Sequence, residues 1–446
     1  MATPFNALPT APAAHRPALN LFVWGAGNFG QFGAGPDDLG EKTRPRRNPW
    51  VDENIDDGTF GSASGAGIES IAAGGMHTLF IDENGTVWSC GVNDEAALGR
   101  PTDNVLDPQD PESVLDVDEL SAWPHPIQSL VDAGFRAVRV AAGGSVSAVI
   151  SSQGELRVWG SFRGDDGALG FSRQNQHQLE PQEILKLPNK DKVTAVAAGS
   201  NHVVVLTTSG HVYTWGAGEQ YQLGRRIIER RKINGTSPER VVLGIARRRA
   251  VGVGAGKYQS FAIDEDGNVW GWGLNALGQT GAGRARATDN EVRTPALVKD
   301  LTLEDLNGDR VISIKGGDFH TLFLTRQGRV FACGGKEGSL LGLPSDHPAI
   351  LEYPDRHFID TPVLVNFPND DPIVQISVGQ RSNLAVTENG ALYSWGQGPQ
   401  GELGCGELTE VDTPRVIVRG PRGGGAFKAI HASCGGQHTL GLFQQT

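Results

Sequence analysis

The chain has 446 residues, including 61 glycines and 4 cysteines, and carries a formal net charge of −12. That charge argues against general affinity for nucleic acid over the whole surface, and so few cysteines cannot staple a chain of this length, which points to a reducing compartment. No apolar run reaches the roughly 18 residues that a membrane-spanning helix needs, so a soluble intracellular protein with no membrane partner is expected.

Residues 1–19 are rich in Ala and Pro and lack the apolar core of a signal peptide, so a short flexible tail is expected there. Leu21-Phe22-Val23-Trp24 then reads as a strand. Gly25-Ala26-Gly27-Asn28-Phe29-Gly30 satisfies the GxGxxG pattern of dinucleotide sites, but Gln31 to Pro36 cannot open the helix whose N-terminus would hold the phosphates.

From Ser70 a unit recurs. Ser70 to Ile81 gives a small-residue strand, a glycine bend and an apolar strand. Asp82-Glu83-Asn84-Gly85 is a hairpin turn, and Thr86 to Cys90 is the returning strand. Six times an entry glycine is followed 17 residues later by the glycine of a Trp-Gly or Cys-Gly pair: Gly74/Gly91, Gly143/Gly160, Gly199/Gly216, Gly256/Gly273, Gly317/Gly334 and Gly379/Gly396. Strings such as Ala97-Leu98-Gly99 and Gln222-Leu223-Gly224 close the units. Trp24-Gly25 at the start and Cys434-Gly435-Gly436-Gln437-His438-Thr439 at the end are two halves of a seventh unit.

One thin sheet cannot bury two faces alone, so the units must pack in a ring. The expected fold is all-β, a seven-bladed β-propeller over residues 20–446, closed by the N-terminal strand completing the C-terminal blade. His77, His202, His320 and His438 each stand three residues after an entry glycine, and the repeat makes them polar anchors near one end of the channel. No histidine, cysteine or carboxylate spacing suits a metal, and no cofactor is expected. Three basic runs read as insertions on a face or rim: Lys42 to Arg47; Arg225 and Arg226 with Arg230, Arg231 and Lys232; and Arg247, Arg248 and Arg249.

The strings Ala72-Ala73-Gly74-Gly75-Met76-His77-Thr78-Leu79, Val158-Trp159-Gly160 and Tyr221-Gln222-Leu223-Gly224 resemble the regulator of chromosome condensation family over nearly the whole chain. Two longer strings are similar to its Ran exchange-factor branch in fungal-like form. Ser161, Phe162, Arg163, Gly164, Asp165, Asp166 and Gly167 resemble the wedge hairpin that such factors push against the phosphate-binding region of the GTPase. Trp215 to Arg225, with the basic insertion through Arg249, looks like the blade whose loop approaches the nucleosome.

The resemblance implies a guanine-nucleotide exchange factor for a Ran-type GTPase, with no covalent chemistry, acting as a nuclear monomer in nucleocytoplasmic transport; the cytoplasm is the second choice of compartment. The GTPase-facing candidates are Met76, His77, Gly144, Asn201, His202, Asp318, Phe319, His320, Gln437 and His438. Arg225, Arg226, Arg230, Arg231, Lys232, Arg247, Arg248 and Arg249 are candidates for contact with DNA or an acidic histone surface. Gly144 and Asn201 stand where the family commonly carries acidic residues, and Phe319 where it carries a histidine. The alternative is a propeller that has lost exchange and serves as an interaction scaffold.

Overall fold

In the computed structural model, which describes residues 4–60, 67–108, 110, 112–245, 247–284, 290–352 and 354–446, seven four-stranded antiparallel sheets form a closed ring. Blade I comprises, from the channel outward, Ile68–Ala73, His77–Asp82, Val87–Gly91 and His125–Pro126. Blades II to VI begin at Ala137, Val193, Ala250, Val311 and Ile373. Blade VII joins the two chain ends: Phe427–Cys434 and His438–Gln445 continue into Asn20–Ala26 and Glu41–Arg47. Phe22 lies opposite Gly441 in that seam, so two strands from the N-terminal region complete the blade.

The core is divided among the blade interfaces. Between blades II and III, for example, Val146, Val158 and Phe162 meet Val203, Val205 and Trp215, all fully buried. Equivalent clusters fill the other interfaces around the ring. The second strand of each of the first six blades is buried along its whole length, because it is covered on both faces by neighbouring blades.

The repeated residues are joint parts. Ala97 O accepts hydrogen bonds from both Ser147 Oγ (2.9 Å) and Trp159 Nε1 (2.8 Å) of the next blade. Gln222 O receives Ser260 Oγ (2.7 Å) and Trp272 Nε1 (2.9 Å) in the same way. The following Leu-Gly glycine must lack a side chain, since a Cβ on Gly99 would lie 2.8 Å from the Trp159 indole nitrogen. His77 Nε2 meets Ser147 Oγ at 2.9 Å. Ser147 already donates its proton to Ala97 O, so the imidazole donates and His77 is the Nε2–H tautomer. His202 with Ser260, and His438 with Thr78, repeat the arrangement, and His320 donates to Asn383 Oδ1. The entry glycine makes room for that ring: a Cβ on Gly74 would lie 2.2 Å from His77 Cε1. Its partner 17 residues on is needed for a different reason, a positive φ such as +103° at Gly160.

Two expectations are corrected. The segment from Phe5 to Arg16 is a strap laid on the ring at the hairpin-turn end. Asn6 Nδ2 donates to Thr207 O and Ala250 O, both at 2.9 Å. Arg139 reaches Thr10 O, and His15 and Arg16 pair with Glu69 and Glu83. The basic run from Lys42 to Arg47 forms the outermost strand of blade VII, where side chains need cover on one face alone.

Candidate functional site

Each blade offers two ends. At one, the entry glycines line the mouth of the channel and the long insertions leave the third strands; at the other lie the hairpin turns. The first end carries a small two-stranded hairpin, Arg163–Gly164 with Gly167–Ala168, directly after the third strand of blade II.

Its root is packed and its tip is exposed to solvent. Ser161 is fully buried, its hydroxyl donating to Gln176 O at 2.9 Å. Phe162 is buried too, its ring stacked on Phe171 at 6.1 Å and 8°. The expectation that Phe162 projects as part of the wedge is therefore corrected: it is the anchor, because an apolar ring gains more from the interface between blades II and III than from water. Arg163, Asp165 and Asp166 form the exposed tip, with Gly164 and Gly167 half-buried between them.

Neighbouring blades hold the tip from two sides. Asn201 Oδ1 accepts from the Arg163 backbone N–H at 2.9 Å, and Gln220 Nε2 donates to Asp165 Oδ2 at 2.8 Å. Lys232, in the 3-10 segment Glu229–Thr236, is hydrogen-bonded to Asp166. On the blade I side Glu95 faces Arg163 at 3.8 Å and His177 at 3.5 Å. Glu219 sits below Gly164, and burial first, then the Asp165 charge, pushes its carboxyl above the ordinary range.

Around the channel mouth, Lys257 Nζ pairs with Asp318 at 2.8 Å, and the two backbones are tied by hydrogen bonds to Gly317 O and Gln380 O. Phe319 is half-buried under the Arg381 guanidinium, 5.3 Å from the ring centroid. Met76 is exposed and Gln437 half-exposed at the same end. Lys257 and Arg381 were missed in the sequence, although Lys257 and Asp318 occupy the slot directly after an entry glycine in successive units. Gly144 occupies that slot in blade II, and its backbone N–H donates to Ser200 O at 2.8 Å.

His77, His202, His320 and His438 are removed from the partner-facing set. Each is at most 1% exposed and spends its Nε2–H inside the ring. Burial drives their protonation down, to about 4 for His77 and His320 and about 3 for His202 and His438.

The basic candidates divide between the two ends. Lys232 faces the hairpin from blade III. Arg225 is structural, its guanidinium directed at Thr214 O, Ser237 O and Glu239, with burial lowering its pKa. Arg100 fills the same slot in blade I. Arg226, Arg230 and Arg231 are exposed. Arg248 and Arg249 lie at the opposite end, against Asp264 and Asp266 and against Glu265 respectively, and Arg249 covers the Phe5 ring at 3.9 Å; Arg247 is exposed beside them. The arginine run is thus two separate surfaces. Among the described residues, no group of three or more His, Cys, Asp or Glu is placed to hold a metal, and no helix is long and apolar enough to cross a membrane.

Comparison with known proteins agrees with this geometry. The RCC1-like domain model matches residues 20–441. The chain is 34% identical to protein pim1 of Schizosaccharomyces pombe, over 98% of this chain and 76% of pim1. It is 32% identical to guanine nucleotide exchange factor SRM1 of Saccharomyces cerevisiae, over 95% of this chain and 86% of that protein. Among solved structures it is similar to Prp20p of Saccharomyces cerevisiae, studied for its binding to Gsp1p and histones, with a TM-score of 0.83, 29% identity and coverage of 100% of this chain and 96% of Prp20p. With a family model matching residues 20–441 and relatives similar over nearly the whole chain, the chain belongs to the regulator of chromosome condensation family of RCC1-like propellers.

Proposed function

We propose that this protein is a guanine-nucleotide exchange factor for a Ran-type GTPase and works in the nucleus in support of nucleocytoplasmic transport. The observation that carries the reading is the braced hairpin Arg163–Ala168 beside the channel mouth, on a chain related throughout its length to a named exchange factor.

No bond is made or broken in the work this requires. A factor that binds the nucleotide-free GTPase more tightly than the loaded form must weaken nucleotide binding by the same coupling free energy. Each tenfold in release rate needs about 1.4 kcal/mol, so five decades need roughly 7 kcal/mol of differential binding. Arg163, Asp165 and Asp166 are the exposed groups that meet the GTPase. Met76, Asp318, Phe319, Arg381 and Gln437 supply the surrounding floor. A ring that holds these groups in place before contact loses little entropy on docking.

Chromatin contact is the second part of the reading. Prp20p has been studied for histone binding, and exposed Arg226, Arg230 and Arg231, grouped at one end of the ring, offer forked donors suited to carboxylates and phosphates.

The test is release of fluorescent GDP from a Ran-type GTPase at substoichiometric protein. Acceleration by several orders of magnitude is expected. GTPase binding with an unchanged release rate would identify a scaffold instead.

A further inference from the structure

The hairpin belongs to blade II, yet its exposed limb is held chiefly from the next unit. Asn201 Oδ1 accepts from the Arg163 N–H, and Gln220 Nε2 donates to the Asp165 carboxylate. The outermost contact is ionic, from Lys232 to Asp166. Lys232 faces Asp166, Glu219 and Glu229, and Glu219 in turn faces Asp165. Glu219 lies close against Gly164, where a Cβ would stand 2.4 Å from Glu219 Oε1, so the carboxylate sits directly under the hairpin. Without the ammonium, carboxylates on both sides of the seam would repel one another across it, and the limb would swing away from blade III.

We propose that Lys232 is a positioning residue for nucleotide exchange: it clamps the outer limb of the hairpin against blade III so that Arg163 and Asp165 meet the GTPase already oriented. The inference rests on the exchange reading above and assigns Lys232 a role distinct from chromatin contact. The Asp166 side chain is 71% exposed and that of Lys232 25%. A pair this open adds little to global stability, so its loss should appear in the hairpin's orientation while the fold persists.

The experiment compares wild type, K232M and K232R. The release rate of fluorescent GDP is followed against GTPase concentration, and backbone deuterium uptake over residues 163–168 is measured on each free protein. K232M is expected to lower the maximal rate about fivefold while the half-saturating concentration stays within about twofold. Deuterium uptake in the hairpin should rise, and the thermal midpoint should be unchanged. K232R, which keeps the cation at the seam, should recover at least half of the lost rate. A K232M protein with wild-type maximal rate and wild-type uptake would overturn the proposal. So would a loss confined to the half-saturating concentration, which would make Lys232 a direct contact. Wild type that fails to accelerate release would overturn the exchange reading itself; unchanged hairpin uptake in K232M would separately overturn the clamp.

Discussion

Phe162 shows how a residue in a functional string can serve architecture. Its ring is enclosed between blades II and III, so Phe162→Ala should cost about 3–5 kcal/mol, read from urea denaturation, through lost burial and the cavity left behind. Arg163→Ala should leave the unfolding free energy within about 0.5 kcal/mol of wild type and reduce the GDP-release rate, because its guanidinium is exposed at the tip. Gly144 and Asn201 stand where the resemblance leads one to expect carboxylates, and the two positions are physically unequal. A Cβ on Gly144 would lie 2.7 Å from Ser200 O in the next blade, so Gly144→Asp must displace a backbone carbonyl and should cost about 1–3 kcal/mol. Asn201→Asp retains an oxygen to accept the Arg163 N–H. It should fold normally, and comparing its GDP-release rate with wild type tests what a carboxylate at this position contributes.

At the scale of elements, the strands were legible because their punctuation is steric and local. Trp159 must lie beside Gly99, and His77 needs the hollow at Gly74, so the same residues return in the same slots. Arg225 was legible in principle as well, since Leu98-Gly99-Arg100 and Leu223-Gly224-Arg225 are the same string. The strap was not legible. Ala- and Pro-rich composition says nothing about backbone acceptors that distant turns leave open, and Asn6 finds its partners more than 200 positions away. Nor could Lys42 to Arg47 be read as a strand from charge, because an outermost strand tolerates charge that an inner one would not. Asn6→Ala leaves Thr207 O and Ala250 O without this donor and should destabilise the protein by about 1–2 kcal/mol, seen as a lower urea midpoint. That Arg225 to Lys232 and Arg247 to Arg249 lie at opposite ends was hidden for a related reason: sequence proximity does not reveal that a blade's outer strand carries the chain from one end of the ring to the other.

For the whole molecule, the four inter-blade histidines make the ring sensitive to acid. Each is held as the neutral Nε2–H tautomer, and Nδ1 of His202, His320 and His438 is buried with no hydrogen-bond partner, so protonation there has nothing to stabilise it. An unfolded histidine takes up a proton near pH 6.5, whereas these do so at about 3 to 4 in the fold. Between those values the unfolded chain binds more protons, so stability falls as pH falls. The urea midpoint should be distinctly lower at pH 5 than at pH 7.5, and an equal midpoint at the two values would refute this account. Blade VII has a consequence for biosynthesis. Asn20–Ala26 can find its partner only after His438–Gln445 has been made. At about 5–20 residues per second, the first strand spends roughly 20–90 s on or beside the ribosome with an unpaired edge. Six blades can assemble in that interval, but the nascent arc must keep a sticky strand out of reach of other chains until translation ends.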